Sequence, residues 1–361
     1  MIRRLIVKNL RNLENLVVEF RPGFNIIVGD NGQGKTNILE AIYLLAYGRA
    51  FRDEKAKVIN WDEDESLVEG VIENFNIRII LKRGEPTKIL INGKVKGGLS
   101  LIGKFVCVVF HPQEIEIVSG PPSLRRSWLD RLISTVDRNY LRALIDYQRA
   151  LNNKNRLLKL SAREEELAVW DQTLAKLGSK IWIARAAAIW KINRLLRAQS
   201  VNLTEKLVFI KYRSAFEGQN PKAFVELFQK QLRSMRALER RFLVTSFGPH
   251  RDDFKVIIEQ KKGTAIVQKE LPSFGSRAEQ RQAVLLLKIS EAKIFDEVYG
   301  EAPTILLDDI TSELDGKNRH LLAKIYSKQV IITTTDLGSL PEEIWKKANV
   351  MRLSNGQVHH S

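Results

Sequence analysis

The residue pattern with the clearest chemical meaning is a glycine-rich octapeptide that matches G-x-x-x-x-G-K-[ST] at every fixed position. It consists of Gly29, Asp30, Asn31, Gly32, Gln33, Gly34, Lys35 and Thr36. Glycine lets the backbone turn its N–H groups toward a phosphate, and a helix N-terminus adds a favourable dipole. In such a loop the lysine reaches the β- and γ-phosphates, and the hydroxyl is a ligand of Mg²⁺. The octapeptide, continued by Asn37, therefore predicts a site for ATP and Mg²⁺.

Two adjacent carboxylates form the second half of the predicted site. Asp308 and Asp309 follow the apolar run at residues 304–307. A buried strand that ends in acids brings a carboxylate beside the metal of a P-loop, so Asp308 is predicted to hold Mg²⁺ together with Thr36. Asp309 is predicted to polarise the attacking water. Lys35 and Asp309 are therefore the predicted catalytic residues of an ATPase.

The flanking sequence predicts the elements that position these residues. An apolar run at 26–28 predicts a buried strand before the loop, and residues 37–46 predict the helix after it. Residues 66–95 alternate polar and apolar, with Asn92-Gly93 as a hairpin signal. Further on, the pattern predicts a long helix at 277–295 and buried strands at 304–307 and 330–333. Parallel strands and helices of this kind are typical of an α/β fold.

The middle of the chain has a different character. Between residues 123 and 240 glycines are rare and apolar residues recur at three- and four-residue steps, as in Leu174, Leu177 and Ile181. The simplest organisation is an α/β P-loop ATPase head built from both chain ends, 1–122 and 241–361, with an inserted α-helical arm domain at 123–240.

Composition favours a polyanionic partner, either nucleic acid or an anionic membrane surface. The 361 residues include 58 Lys and Arg against 42 Asp and Glu, a net charge of +16. Residues 123–160 carry nine basic residues against three acids, and residues 173–197 carry six and no acid, so the helical zone is a candidate DNA-facing surface. No base-reading motif is found, so binding to DNA is predicted to be sequence-tolerant. The single cysteine, Cys107, and the lack of a membrane-length apolar run predict a soluble cytoplasmic protein.

Two further segments resemble those of ABC-type ATPases. The run at 312–315, Ser-Glu-Leu-Asp, resembles their D-loop, and the run that starts at Ser276 and includes Gln280 resembles their S-x-G-x-Q signature. In that class, the signature of one subunit closes over the ATP that the P-loop of the other holds. The resemblance therefore implies that Ser276 and Gln280 complete the site in an ATP-dependent homodimer, with a helix N-terminus facing the γ-phosphate.

Segments across nearly the whole chain, in the same order, resemble the RecF family of bacterial DNA replication and repair proteins. They are found at 8–12, 48–52, 120–130, 246–254 and 307–315. The resemblance implies an SMC-like ATPase head with a short helical arm, an ATP-closed dimer that clamps duplex DNA and single-strand/duplex junctions, and slow, DNA-stimulated hydrolysis that resets it. It also implies work with the RecO and RecR mediators to load RecA at gaps, within the SOS response to DNA damage.

Three positions depart from the wider ABC pattern. Ala278 stands where the signature often has glycine, and Asp309 stands where transporters place a glutamate, one methylene longer. Threonines at 333–335 stand where transporters carry a switch histidine, and RecF-like sequences also have threonines there. A threonine can form a hydrogen bond with a γ-phosphate but cannot act as a cationic acid. These differences favour slow hydrolysis over a fast motor.

Other functions remain open from the residues alone. The main alternative is the nucleotide-binding subunit of a membrane transporter, although Lys35 and Ser276 are 241 residues apart, far more than is usual in such a subunit. A structural SMC protein would need a much longer heptad arm, and a small-molecule kinase would not explain the 312–315 run.

Several single residues also carry hypotheses. Gln113 is a candidate Q-loop residue, and Arg49 and Arg52 are candidates to flank the nucleotide. Arg125 and Arg126 contact phosphate or are solvated. His250 is more typical of a structural histidine than of a catalytic one.

Overall fold

The computed structural model describes residues 1–52, 55–203, 206–213, 220–262, 265–309, 327–354 and 356–360. The strands are β1 (Ile2–Leu10), β2 (Leu13–Glu19), β3 (Gly23–Val28), β4 (Glu65–Ile72), β5 (Phe75–Lys82), β6 (Lys88–Ile91), β7 (Lys94–Lys96), β8 (Cys107–Phe110), β9 (Leu207–Arg213), β10 (Asp253–Lys262), β11 (Ala265–Glu270), β12 (Thr304–Asp308), β13 (Gln329–Thr334), β14 (Asn349–Ser354) and β15 (Gln357–His360). The α-helices are α1 (Lys35–Tyr47), α2 (Lys55–Val58), α3 (Glu116–Ser119), α4 (Pro122–Val136), α5 (Arg138–Lys159), α6 (Glu164–Leu203), α7 (Phe224–Ser234), α8 (Arg236–Phe242), α9 (Leu271–Phe274), α10 (Arg277–Tyr299) and α11 (Glu342–Trp345). Among the described residues, no helix is both long and apolar enough to cross a membrane.

The chain divides into two compact units. The first unit combines Met1–Glu114 with Lys288–Ser361, and the second is the intervening segment Ile115–Leu287. The second unit is wider than the predicted arm at 123–240, because it also contains the sheet of β9, β10 and β11 and the first half of α10. The division of the chain into head and arm at 122 and 241 stays a prediction.

The first unit contains two six-stranded sheets. One is antiparallel, in the order β2-β1-β4-β5-β6-β7, and the other has the order β15-β14-β3-β13-β12-β8. In the second sheet all neighbouring pairs are parallel except β14 with β15. The carboxyl ends of β8, β12, β13 and β3 therefore meet at one edge, where ligands bind in open α/β sheets.

Helix α1 lies in the core that joins these sheets. Ten of its thirteen residues are buried, and apolar residues of α1, both sheets and the adjoining loops form one hydrophobic cluster. A helix that is apolar nearly all round is stable only inside such a core. The core thus fixes the start of α1, and with it the position of the loop that precedes it.

Most predicted elements of the first unit are found within a few residues of their predicted bounds. The hairpin signal is confirmed, since Asn92 and Gly93 both have positive φ values, 49° and 76°, and link β6 to β7. Two positive φ values are what a two-residue type I′ turn requires. The D-loop-like run at 312–315 lies outside the described residues.

The second unit packs helices on a three-stranded antiparallel sheet in the order β11-β10-β9. Helix α5 begins at an N-cap, Asp137, whose side chain accepts hydrogen bonds from the N–H groups of Asn139 and Tyr140. The buried residues of α5 and α6 pack against each other, and the predicted stripe of Leu174 and Ile181 is part of that core.

Candidate nucleotide-binding site

The glycine-rich loop has the predicted strand-loop-helix context. It leaves β3 in the middle of the parallel sheet and ends at Gly34, the N-cap of α1. Gly32 and Gly34 have φ values of 82° and 101°, which only glycine adopts readily. At Gly29, an added Cβ would lie 2.5 Å from the carbonyl oxygen of Leu353. All three glycines are thus required by backbone geometry or by close packing.

Asn12, in the turn between β1 and β2, supports the loop from outside. Its Nδ2 donates to the carbonyl oxygen of Gly32 at 2.9 Å, and its Oδ1 accepts from Nδ2 of Asn37 at 2.7 Å. A Cβ at Gly34 would lie 2.7 Å from Oδ1 of Asn12. Asn12 belongs to one of the family-like segments, but the sequence assigned it no role. The positive φ values of Asn9 and Arg11 beside it mark a tight turn that sequence alone does not reveal.

The ammonium group of Lys35 closes onto its own loop. Nζ donates to the carbonyl oxygens of Gly29 and Asp30 at 2.6 and 2.9 Å. Burial lowers the pKa of Lys35, and the nearby carboxylates of Asp309, Asp308 and Asp30 oppose that shift. The lysine is therefore held among acceptors and next to both predicted acids.

Asp308 receives two hydroxyl groups from different elements. Its carboxylate ends β12, is buried, and accepts at Oδ1 from the hydroxyls of Thr36 and Thr333, each at 2.8 Å. Thr36 and Asp308 are 272 residues apart in the chain, and the parallel sheet brings them into contact. Their metal-binding role stays a prediction, but they share one oxygen-rich point at the start of α1.

Asp309 has a constrained backbone. Its φ of 46° lies in the left-handed region, and its N–H donates to both the hydroxyl and the carbonyl oxygen of Thr333, at 3.1 and 3.2 Å. A non-glycine residue in this region costs about 1–2 kcal/mol unless its surroundings hold it there. Thr333 therefore contacts both acids, and its side chain is fully buried.

His111 is a site residue that sequence reasoning missed. It follows β8, and its Nε2 lies 3.4 Å from Oδ2 of Asp308. The backbone N–H of Gln113 donates to Nδ1, so the neutral ring carries its proton on Nε2, which faces the carboxylate. Burial lowers the pKa of His111, opposed by Asp308. The signal was present, because His111 directly follows a buried parallel strand, as Asp308 does.

A buried carboxylate links the two arginines nearest the loop. Glu40 is fully buried and accepts from Nε of Arg11 at 2.5 Å and from Nη2 of Arg52 at 3.0 Å. Arg52 also donates to Oδ1 of Asn37 at 2.5 Å, which connects it to the first turn of α1. Arg49, by contrast, is exposed. That Arg52 and Arg49 flank a nucleotide stays a prediction, as does the Q-loop role of Gln113.

The signature-like residues belong to the second unit. Ser276 and Glu279 form a capping box, in which Glu279 N–H donates to Oγ of Ser276 at 3.2 Å and Ser276 N–H donates to Glu279 at 2.8 Å. Gln280 is buried, and its Nε2 donates to the carbonyl oxygens of Leu271 and Gly275.

Two lysines neutralise the acid at this helix start. Burial alone would raise the pKa of Glu279, but hydrogen bonds from Lys206, from the Ser276 N–H and from Lys269 lower it to about 2. Ser276 thus begins α10 as a structured N-terminus with a charge-compensated acid beside it.

Arg125 is a structural residue, and the prediction that it contacts phosphate or is solvated is wrong. Its guanidinium is buried and pairs with both carboxylate oxygens of Asp253, at 2.6 and 2.9 Å. Arg126 is half-buried and donates to the carbonyl oxygen of Asp252 at 2.7 Å. The bidentate pair of Arg125 with Asp253 is geometrically specific and stronger than a neutral hydrogen bond.

His250 also has a structural role. Its Nδ1 accepts from the hydroxyl of Tyr147 at 2.7 Å, and its Nε2 donates to the carbonyl oxygen of Thr245 at 3.0 Å. Burial lowers the pKa of His250 to about 4, so the ring is neutral near pH 7. Both ring nitrogens are engaged inside the second unit.

One member of the predicted basic surface is not on any surface. Arg185 is buried, pairs with both carboxylate oxygens of Asp130 at 2.9 Å, and donates to the carbonyl oxygen of Pro249 at 2.6 Å. The remaining basic residues of 173–197 are exposed or half-exposed. The surface predicted from counting charges is therefore smaller than the count suggested.

Known proteins resemble the whole chain. A family model described as an AAA domain matches residues 4–319. The DNA replication and repair protein RecF of Caldanaerobacter subterraneus subsp. tengcongensis is 35% identical over 349 residues, which are 92% of this chain and 94% of that protein. A solved structure of the recombination mediator RecF with ATP, in the RecFOR pathway, is 31% identical with a TM-score of 0.90, and the match covers all of this chain and 99% of that one.

A more distant match supports the fold alone. The Smc head domain of Pyrococcus furiosus, solved with an extended coiled coil and the C-terminal domain of ScpA, gives a TM-score of 0.54 at 17% identity over all of this chain and 95% of that one.

A P-loop whose hydroxyl contacts a strand-end aspartate, in a chain that matches an AAA-domain model and a solved structure with ATP, defines a P-loop ATPase with a fold like that of an SMC head. Within that class, the chain belongs to the RecF family of DNA replication and repair proteins. Membership of this family disfavours the transporter alternative.

Proposed function

We propose that this protein is an ATP-dependent DNA-binding protein of recombinational repair, in which two copies close around ATP and clamp DNA. The observation that carries the proposal is the contact of Thr36 and Thr333 with one oxygen of Asp308 at the mouth of the P-loop. This arrangement joins the loop, the acid strand and the neighbouring strand at a single point. A change in the bound nucleotide would therefore act on the loop, on β12 and on β13 at the same time.

The residues present fit ATP and Mg²⁺. Gly32 and Gly34 hold left-handed φ values that turn N–H groups toward a phosphate, and Lys35 donates to two loop carbonyl oxygens that a phosphate would replace. Thr36 and Asp308 offer the hard oxygen ligands that Mg²⁺ prefers and would hold it. Bound Mg²⁺ supplies neutralisation of phosphate charge during transfer. The solved RecF relative with ATP supports the same ligand here.

Asp309 would act on the water. Its backbone N–H is held by Thr333, and its carboxylate is near enough to Lys35 to oppose the lowering of that lysine's pKa. It would orient the attacking water and accept a proton from it. An aspartate has a shorter reach than a glutamate, which supports slow hydrolysis. This hydrolysis would reset the clamp, and DNA would stimulate it.

The composite site would require a second copy. Ser276 begins α10 with its capping box, and this helix N-terminus, with Gln280 buried below it, would face the γ-phosphate held by the partner copy. ADP lacks that phosphate, so the dimer would sense ATP against ADP. Partners of the clamp would be duplex DNA and single-strand/duplex junctions, the RecR and RecO mediators and, indirectly, RecA, in the cytoplasm.

Sedimentation velocity of the full chain with duplex DNA tests the proposal. We expect a dimer on DNA in ATP, a monomer in ADP, and loss of the dimer in Ser276→Arg. Lys346→Glu, which changes a solvent-exposed residue that pairs with Glu342, is the control for a surface charge change and should behave like the wild type. If mass and DNA binding ignore the nucleotide, Ser276 is only a helix cap and the clamp is refuted.

A further inference from the structure

Helix α5 separates two kinds of residue onto opposite faces. At about 100° per residue, its seven buried positions fall within an arc of about 100°. These are Tyr140, Ala143, Tyr147, Ala150, Leu151, Lys154 and Leu158. Five exposed cations fall within a second arc of similar width on the opposite side. They are Arg138, Arg142, Arg149, Arg156 and Lys159. We define these five residues as the α5 basic face.

We propose that the α5 basic face is the surface on which the protein follows the phosphate backbone of duplex DNA. This inference rests on the proposed function, since it names where the clamp contacts its DNA. Counting charges along the chain gave nine basic residues between 123 and 160. The structure places five of these nine in a solvent-facing row on one helix, buries two beside acidic partners, and leaves Arg126 and Arg131 half-buried.

The buried cations of this segment are neutralised inside the protein. Arg125 pairs with Asp253, and Lys154 lies 2.8 Å from Asp171 and 2.7 Å from Glu239. On the α5 basic face, the described part of the chain shows no ion pair for Arg142, Arg156 or Lys159.

The one acid within α5 is Asp146. It lies at the edge of the basic arc, 3.5 Å from Nη1 of Arg149, and both of these side chains are more than half exposed. An exposed pair of this kind contributes little. Arg142, Arg156 and Lys159 therefore present positive charge to solvent without an acidic partner in the described part of the chain.

The length of the face fits a duplex. From Arg138 to Lys159 the helix rises about 32 Å, close to one turn of B-DNA at about 34–36 Å. Over that length a duplex carries about 19 phosphates, so five long, flexible cations have several within reach on the near side. Contacts of this kind fix position and orientation without reading sequence.

The exposed face of α6 is a weaker candidate for the same partner. It also carries cations, but Val169, Ile183 and Trp190 lie exposed among them, at 62%, 45% and 67% of their full accessible surface. A phosphate backbone offers no apolar surface to cover such residues. Within the arc of the α5 basic face the apolar residues are Leu141 and Ile145, both half-buried, and Leu160 is exposed just past Lys159 at the end of the helix. A single exposed apolar residue at one end of the face is too little for insertion into a lipid surface, which needs a broad apolar helix face.

Salt dependence of DNA binding tests the assignment with two matched triple variants of the full chain. One variant is R142Q/R149Q/R156Q on α5, and the other is K176Q/K180Q/R197Q on the exposed face of α6. Each removes three charges from exposed helix positions of the second unit, and glutamine is a good helix former. Binding of a labelled duplex of arbitrary sequence is measured by anisotropy in ATP across a range of salt concentrations.

The α5 variant should lose about 0.9 of slope in log K against log salt for each phosphate contact removed, or about 2.7 per protomer. The ratio of wild-type to variant affinity should then grow about 40-fold for each protomer that contacts the duplex when salt falls from about 200 to about 50 mM. The α6 variant should keep the wild-type slope. Equal loss in both variants, or loss only in the α6 variant, would overturn the assignment.

Two further arms keep the outcome interpretable. R142K/R149K/R156K keeps the charges and should keep the slope, so a loss in this variant would contradict contact through charge. Anionic vesicles containing phosphatidylserine test the lipid alternative, and α5-dependent binding to vesicles but not to duplex would overturn the proposal. If the wild type itself shows no ATP-dependent DNA binding, the proposed function fails. If the wild type binds and the α5 variant binds equally, only the α5 assignment fails.

Discussion

Thr333 is the residue whose single substitution should perturb the site most. Its buried hydroxyl donates to Oδ1 of Asp308 at 2.8 Å and accepts from the N–H of Asp309 at 3.1 Å. Thr333→Val keeps the shape of the side chain and removes both bonds. Losing a hydrogen bond to a buried carboxylate costs about 1.5–3 kcal/mol. The N–H of Asp309 keeps the carbonyl oxygen of Thr333 as an acceptor at 3.2 Å, so the total should stay near 2–3 kcal/mol.

The effect on catalysis should exceed the effect on binding. In Thr333→Val, Asp308 keeps the hydroxyl of Thr36 at Oδ1 and Nε2 of His111 beside Oδ2, and the backbone of Asp309 loses a side-chain restraint. Misplacement that costs about 1.4 kcal/mol in the transition state slows hydrolysis about tenfold. The P-loop is untouched, so ATP affinity should change by less than about threefold. The assays are steady-state ATP hydrolysis, ATP titration calorimetry and urea unfolding.

Thr334→Val is the matched control. Thr334 is the next residue of β13, and its hydroxyl donates to the carbonyl oxygen of Asp336 at 2.9 Å and accepts from the Asp336 N–H at 3.2 Å, away from Asp308 and Asp309. Thr334→Val should cost about 1–2 kcal/mol of stability and leave hydrolysis unchanged. Thr333→Ser, which keeps the hydroxyl, should retain activity. If Thr333→Val hydrolyses ATP at the wild-type rate, or if both valine variants slow it equally, the reasoning about Thr333 is refuted.

Three other predictions follow from buried contacts. Arg125→Met should lower the free energy of unfolding by about 3 kcal/mol, because Asp253 is left as an uncompensated acid, and adding Asp253→Asn should restore part of it in urea unfolding; no recovery would argue against the pair. Burial holds the pKa of His250 near 4, below the ordinary 6.5, so the stability due to its neutral form is complete above pH 6.5 and falls by about 3 kcal/mol as pH falls toward 4. His250→Gln should flatten this dependence of the free energy of unfolding on pH. A variant with the same pH dependence as the wild type would contradict the assignment. Gly34→Ala should weaken ATP binding at least about tenfold in calorimetry, because φ is 101° and the methyl group would meet Asn12; wild-type affinity would show that the loop tolerates a Cβ.

Much of the site could be predicted from local sequence patterns. The strand before Gly29, the helix after Thr36 and the acid at the end of β12 follow from periodicity and from one motif, because each depends on short-range rules. The sequence also predicted that the loop and the acid lie close together, because parallel strands end at a common edge of the sheet.

Residues chosen by the tertiary fold could not be found in this way. Asn12 reaches the loop from a turn whose geometry depends on left-handed residues, and His111 reaches Asp308 because β8 is the neighbour of β12. Strand order is not written in local sequence. The same is true of charge, since Arg125 and Arg185 look like surface cations in the chain and are buried partners of acids in the fold.

The central claim, a site completed by a second copy, is tested most directly by mixing two inactive variants. Lys35→Ala lacks a working P-loop, and Ser276→Arg lacks a working signature, so neither homodimer has an intact site. In a mixed dimer, the P-loop of one variant would meet the signature of the other, and one of the two sites would be intact. An equimolar mixture should therefore regain about one quarter of the wild-type ATPase rate. A mixture no more active than its components would contradict a composite site.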